Sequence, residues 1–147
     1  MKTWRLRLVC GACLVSLFLC MEITTDAGAF EKCHVCGMDV GKYPHTRMVV
    51  ETTDGKNFAT CGAQCGVRLH VLLGPQWKSA VALDLLSNRP VNAKEAFYVF
   101  KSSVITDMAP GLISFKLKAN AEKFAAGFGG EVLTYDEAVA VWKKRTE

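Results

Sequence analysis

Met48-Val49-Val50-Glu51-Thr52-Thr53-Asp54-Gly55-Lys56-Asn57-Phe58-Ala59-Thr60-Cys61-Gly62-Ala63-Gln64-Cys65 is the stretch that decides the fold. Its first six residues are rich in β-branched side chains, which suit a strand. Lys56 to Thr60 forms a second run across Asp54-Gly55. An Asp-Gly pair supplies the positive φ angles of a tight two-residue turn, so the segment reads as a β-hairpin. Cys61 to Leu73 then reads as a knuckle entering a short helix, which Gly74-Pro75 ends because neither residue continues a helix well.

Working outward, Ala80 to Leu85 reads as a strand and Ser87-Asn88-Arg89-Pro90 as a turn. The second half of the chain repeats this plan more loosely. Ala96 to Phe100 is a strand. From Leu112 to Lys118, Ile113, Phe115 and Leu117 alternate with Ser114, Lys116 and Lys118, the period of a half-buried strand. Asn120 is placed to cap the next helix, whose Ala121, Phe124, Ala125 and Phe128 share one face. Gly129-Gly130 ends that helix by admitting the left-handed conformation. Glu131 to Tyr135 is a short strand. A last helix opens with Asp136 and Glu137 and closes with Lys143, Lys144 and Arg145, charges matched to the helix dipole. The pattern predicts an α+β fold of two related β-β-α halves in one domain, residues 30–147.

Upstream of the hairpin stands Cys33-His34-Val35-Cys36-Gly37-Met38, which packs two thiols, an imidazole and a thioether into six positions. These are soft or borderline donors, suited to Cu(I) or Zn(II) rather than to Mg or Ca. Cys33-x-x-Cys36 lies on a turn that Gly37 tightens. Cys61-x-x-x-Cys65 spans a helix start, where residues four apart share a face and the dipole favours thiolate. Two such knuckles with a hairpin between them are the layout of a treble-clef zinc module. The run Cys36-Gly37-Met38 followed by Phe58-Ala59-Thr60-Cys61-Gly62-Ala63-Gln64-Cys65 also resembles the YHS and TRASH-type metal-binding modules.

Three readings of these thiols stand side by side: a metal site, two disulfides, or a redox-active pair. Redox catalysis is the weakest, because a thioredoxin-like Cys-x-x-Cys is followed by a helix and Met38-Asp39-Val40-Gly41-Lys42-Tyr43-Pro44 does not resemble one. Met38, behind the Cys-Gly turn, and Met108, in the loop Asp107-Met108-Ala109-Pro110-Gly111, offer thioethers that select Cu(I). Gap filling in a small core is the ordinary role of such residues. Met48 sits in a strand and reads as core. His34 and His45 are each ligand candidates or exposed loop residues, and His70 lies on a helix surface or is partly buried. No nucleophile and base pair appears and no phosphate loop, so no enzyme is expected.

Residues 1–29 read as a signal peptide: a basic start at Lys2, Arg5 and Arg7, an apolar run from Leu8 to Met21, and the small residues Ala27-Gly28-Ala29. Cleavage before Phe30 would leave a soluble periplasmic or otherwise exported protein. The rival is lipidation at Cys20, the one route to a membrane. The leader takes with it Cys10, Cys13 and Cys20. It also takes three basic and two acidic residues, and the formal charge falls from +4 to +3. The remaining charges are scattered, which implies no nucleic-acid partner. Export to an oxidising compartment keeps the disulfide reading open.

Taken together, the chain resembles the NosL family, accessory copper chaperones of nitrous oxide reductase, from about Lys32 to Val139. The anchors are Cys36-Gly37-Met38, the run Val91 to Val99, Asp107-Met108-Ala109-Pro110, and the tail Phe115 to Tyr135. The resemblance implies a two-half α+β fold similar to the mercury lyase MerB. It implies one Cu(I) bound through Cys and Met, and transfer of that copper to the machinery that matures the reductase. Cys36 and Met38 match the family's Cys-x-Met element and Met108 its loop methionine. Cys33 and His45 are weaker transfers. Cys61 and Cys65 are not required of the copper chaperones and point to a Zn(II) site instead, serving an interaction module. Both readings claim Cys36.

Overall fold

The computed structural model describes residues 32–146. The expected leader, residues 1–29, and Cys20 within it lie outside them. The hairpin forms where the sequence puts it: strand β1 (Met48–Thr52) pairs antiparallel with β2 (Asn57–Thr60), Val50 opposite Phe58. The turn differs from the tight two-residue form. The connection is Thr53-Asp54-Gly55-Lys56, closed by Thr52 N–H donating to the Lys56 carbonyl, and only Gly55 in it has positive φ, +82°. Asp54 stays out of the left-handed region, and its carboxylate meets the Thr52 hydroxyl and Lys56.

Helix α1 (Ala63–Leu73) follows at once and ends at Gly74, φ +52°. It lies close on β1 because Gly66 has no side chain. A Cβ there would collide with Met48 Sδ, and Met48 is fully buried. A single 3-10 turn, Gly74–Gln76, then directs the chain into β3 (Trp77–Leu83), which pairs with β1. This strand starts three residues before the expected Ala80, because the register shift at Glu51/Thr52 lets pairing continue to Trp77. It stops short of Leu85 because Asp84 leaves the ladder. The Asp84 carboxylate accepts from Ser87 N–H (2.9 Å), the Ser87 hydroxyl (2.6 Å) and Lys116 N–H (2.8 Å). Strand β4 (Pro90–Asn92) completes a four-stranded sheet, order β2-β1-β3-β4.

The second half has the same connectivity. Strand β5 (Phe97–Phe100) pairs with β6 (Leu112–Phe115), helix α2 (Lys118–Phe128) follows, and β7 (Glu131–Thr134) returns to pair with β5. The order β6-β5-β7 matches β2-β1-β3: in each half the first strand of the hairpin ends up central. Each predicted β-β-α half is thus extended by a third strand. Helix α3 (Tyr135–Thr146) closes the fold. Its start is held by a reciprocal cap, with Thr134 N–H donating to Glu137 Oε2 (2.7 Å) and Glu137 N–H to Thr134 Oγ1 (3.4 Å).

Strand β6 is not half-buried: all four of its residues are buried. Phe115 and Ile113 face α2, Leu112 joins the core under α1 and α3, and the Ser114 hydroxyl donates to the Leu83 carbonyl (2.6 Å). A strand covered on both faces cannot be recognised from alternation. Nor does Asn120 cap α2. That helix starts at Lys118 behind Leu117, without a side-chain cap, and Asn120 N–H already donates to the Leu117 carbonyl (3.0 Å).

One apolar core joins the halves: Met48, Val50, Val67 and Leu69 from the first pack with Tyr98, Phe100, Leu133, Tyr135 and Trp142 from the second. His70 of α1 stacks on Trp77 (4.3 Å between ring centroids) and meets the Tyr135 hydroxyl through Nδ1 at 3.0 Å. It is half-buried at the joint between halves, within the range the sequence allowed. Among the described residues no helix is long and apolar enough to cross a membrane.

Candidate metal centre

A second, smaller cluster forms at the open end of the first half. Cys33, Cys61 and Cys65 are buried in it with Val40 and Ala59, and Met38, Tyr43 and Met108 pack against it half-buried. Its floor is the knuckle. Cys33 N–H donates to the Met38 carbonyl (2.6 Å) and Gly37 N–H to the Cys33 carbonyl (2.8 Å). Gly37 takes φ +73°, which a side chain would resist. Lys32 and Asp39 bridge behind it. After the knuckle comes a single 3-10 turn, Val40–Lys42, not the helix a thioredoxin-like motif would require. Thr46 donates its hydroxyl to the Cys61 carbonyl (2.9 Å), and the buried Thr60 hydroxyl bridges the Met48 and Gly62 carbonyls. The residues leading into α1 are thereby fixed.

The four thiol sulfurs of Cys33, Cys36, Cys61 and Cys65 lie within 4.8 Å of one another, and all four are free. Cys36 Sγ is 3.6 Å from Cys61 Sγ, and Cys61 Sγ is 3.7 Å from Cys65 Sγ. A metal with bonds of ~2.3 Å to tetrahedral sulfur requires S···S edges of about 3.8 Å. These edges already match, while a disulfide would need roughly 2.05 Å. Four cysteines here can hold a metal ion. A fifth sulfur adjoins them, since Met108 Sδ is 3.6 Å from Cys65 Sγ. Met38 Sδ accepts from the Tyr43 hydroxyl at 3.9 Å on the flank.

Three of the four thiols are buried and Cys36 is exposed, so the cluster opens to solvent through Cys36. Their acidities diverge. Burial pushes the Cys33 thiol up, but the backbone N–H groups of Cys36, Cys61 and Val35 outweigh it and hold it at about 7. Cys36 is pushed up to about 11, by burial of its sulfur and then by the Cys33 and Cys61 thiols, against the Met38 N–H. Cys61 goes far above the ordinary thiol value, first through its contact with the Cys65 thiol and then through burial. That overturns the expectation of a dipole-favoured thiolate at Cys61. The neighbouring sulfur and the dry surroundings outweigh the helix. Metal arriving here must displace protons, so binding and proton release are linked.

The structure separates the other candidates. His34 is exposed, its ring 4.2 Å from that of Phe58, and His45 is exposed; neither belongs to the thiol group. Met108, 43 residues from Cys65 in the chain, does adjoin it. Two participants carried no assigned role in the sequence. Tyr43 holds Met38, and Asp107 brings Oδ2 to 3.7 Å from Cys61 Sγ, which donates to it. The only signal for Asp107 was its place directly before Met108.

The NosL profile matches residues 24–140. The chain belongs to the NosL family. No curated protein matches it. Among solved structures, the crystal structure of the copper chaperone NosL from Shewanella denitrificans is similar, with a TM-score of 0.64 and 28% identity over 74% of this chain and 90% of that one. That neighbour is a carrier of copper by description, not an enzyme. NosL membership and the shared mixed fold agree with the two-half reading of the sequence.

Proposed function

We propose that this NosL-family chain is a Cu(I) metallochaperone of the periplasm, exported by its leader and soluble once that leader is cleaved near Ala29. It binds Cu(I) through Cys36, Met38 and Met108, with Cys33 close by. It delivers the ion to the apparatus that assembles the copper centres of a cuproenzyme, nitrous oxide reductase by the family resemblance. The observation that carries this reading is the sulfur set itself: a thioether 3.6 Å from a buried thiol, beside three more thiols, one of which reaches solvent. Thioether and thiolate together favour Cu(I) over harder ions. A carrier must also release its cargo, and the exposed Cys36 is where a second protein's thiol or imidazole can join the metal before the first ligands let go.

The test is a titration of the reduced protein with Cu(I) against a competing chelator. Cys36→Ala and the pair Met38→Ala with Met108→Ala should each weaken binding. Unchanged affinity in the methionine pair would remove the thioethers from the site. Transfer is tested by mixing the loaded protein with copper-free reductase and following the reductase's copper spectrum.

One observation favours a second reading. S···S edges of 3.6 and 3.7 Å suit a tetrahedral four-cysteine Zn(II) site. Native mass spectrometry of protein purified without added metal separates the two. One zinc lost only on unfolding, with no copper uptake, identifies a structural zinc module.

A further inference from the structure

Met108 reaches the thiols from a segment without regular structure, the connection between β5 and β6 at residues 101–111, so something must hold it there. The clue is Gly62, the residue before the first turn of α1. Its backbone is extended, φ −164° and ψ 175°, a conformation open to every residue. Glycine is therefore not needed for its dihedral freedom. What a side chain would lack is room: a Cβ at Gly62 would collide with the carboxylate of Asp107. Gly62 offers no side-chain cap of its own. The carboxylate that lies against this helix start comes instead from a loop 45 positions further along the chain. The helix N-terminus carries a partial positive charge that favours an anion at that place. Thr106 donates its hydroxyl to Asp107 Oδ1 (2.9 Å), and Cys61 donates its thiol to Oδ2 (3.7 Å). Asp107 and Met108 thus straddle the second cysteine pair, the first on Cys61 and the second on Cys65.

We propose that Gly62 and Asp107 form a seat that docks the 101–111 loop onto the start of α1 and thereby holds Met108 as a ligand, so that the seat sets the site's preference for Cu(I) over four-thiol metals. Asp107 is a positioning residue. It touches the thiol of Cys61 and acts on the metal by placing its neighbour's thioether. The inference rests on the reading of Met108 as a copper ligand. Removing a group that orients a metal ligand costs about 10–100-fold in metal affinity. A metal that needs only the four cysteines is spared.

The test compares Cu(I), titrated against bathocuproine disulfonate, with Cd(II), followed by its thiolate absorption, on the reduced protein. Met108→Ala, Asp107→Ala and Gly62→Ala should each weaken Cu(I) about tenfold and leave Cd(II) within about twofold. Gly62→Ala combined with Met108→Ala should bind Cu(I) no worse than the weaker single variant, since both remove one contact. If Met108→Ala weakens Cu(I) while both seat variants bind like the parent, the seat is wrong and the copper reading stands. If Met108→Ala binds like the parent, Met108 is no ligand, and the seat falls with it. A Gly62→Ala protein that has lost Cd(II) as well has a disturbed thiol set. Asp107→Ala, which adds no bulk, then decides: Cu(I) weakened with Cd(II) intact supports the seat, and both intact overturns it.

Discussion

The two halves share a strand order and differ in one connection. Between β1 and β2 the chain needs only Thr53-Asp54-Gly55-Lys56. Between β5 and β6, the matching pair, it runs from Lys101 to Gly111 and carries Ile105, Asp107 and Met108. The first half keeps a short hairpin and surrounds it with four cysteines. The second half contains no cysteine; it fills its sheet with Phe97, Tyr98, Phe100 and Phe115 and sends its long loop across to the first half's sulfurs. The sulfur site is thus assembled from one half's thiols and the other half's loop. The first half alone would be a thiol site with no Met108.

If that division is right, the largest effects on metal binding lie in the first half. Cys36→Ala should lower Cu(I) affinity by more than the roughly 100-fold that losing a ligand-supporting group can cost. Because Cys36 is exposed, the urea midpoint of the metal-free protein should hardly move. A variant that keeps its affinity would show that the buried thiols suffice. Affinity should also rise with pH. Cys36, held at about 11, and Cys61, pushed far up, are protonated at neutral pH in the metal-free protein; Cys36 must lose its proton to bind Cu(I), and both must to bind a four-thiol metal. Chelator competition at pH 6, 7 and 8 reads this directly, and a flat profile would contradict those proton displacements.

Next in size is the contact that sets the first half's helix on its sheet. Gly66→Ala puts a methyl group into Met48 Sδ at a fully buried position. Overpacking of this kind costs about 1–3 kcal/mol, against at most about 1 kcal/mol gained in helix propensity. Net destabilisation in a urea melt is expected. A stabilised variant would mean that Met48 has another rotamer to move into, and that the close approach of α1 to β1 is not needed.

What could be read from the sequence was what neighbouring residues decide among themselves. Gly37 behind Cys36, the Cys61/Cys65 spacing at a helix start, and Gly74-Pro75 at its end are local, and the structure places each where expected. What could not be read depends on distant partners. Strand β6 showed the alternation of a half-buried strand because nothing in Leu112–Phe115 reveals that the main core and Leu83 cover its Leu112 and Ser114 face. The thiolate expected at Cys61 came from one helix dipole, while its acidity is set by Cys65 and burial. The sequence set the four-thiol site against the Cys36, Met38 and Met108 site as rivals. Met108 beside Cys65 makes the two sulfur sets contiguous, a contact no spacing rule contains.

The second half should answer to the opposite pair of measurements, stability without affinity. Tyr98 is fully buried and donates its hydroxyl to the Ala93 carbonyl at 2.8 Å. Tyr98→Phe leaves that carbonyl without this donor and should cost about 1 kcal/mol. Cu(I) and Cd(II) affinities should stay at the parent values. A loss of affinity in this variant would show that the second half's core tunes the sulfur site, and the division drawn above would fail.

The smallest effect belongs to the joint. His70 comes from the first half's helix and Tyr135 from the second half's, and Trp77 stacks on the imidazole. Burial, then the charges of Lys94 and Lys143, hold His70 below the ordinary histidine value, against the pull of Asp136. The folded protein therefore prefers the neutral ring, while the unfolded chain takes up a proton first as pH falls. Stability from this group is complete above the ordinary value of 6.5 and declines as pH drops from there towards the lower folded value. His70→Gln keeps a polar partner for Tyr135 and cannot titrate. Urea melts at pH 7.5 and pH 5.5 should therefore show a smaller difference for the variant than for the parent. Equal differences would mean that the joint between the halves is insensitive to the charge on His70, and that the acid sensitivity of the fold lies in its carboxylates.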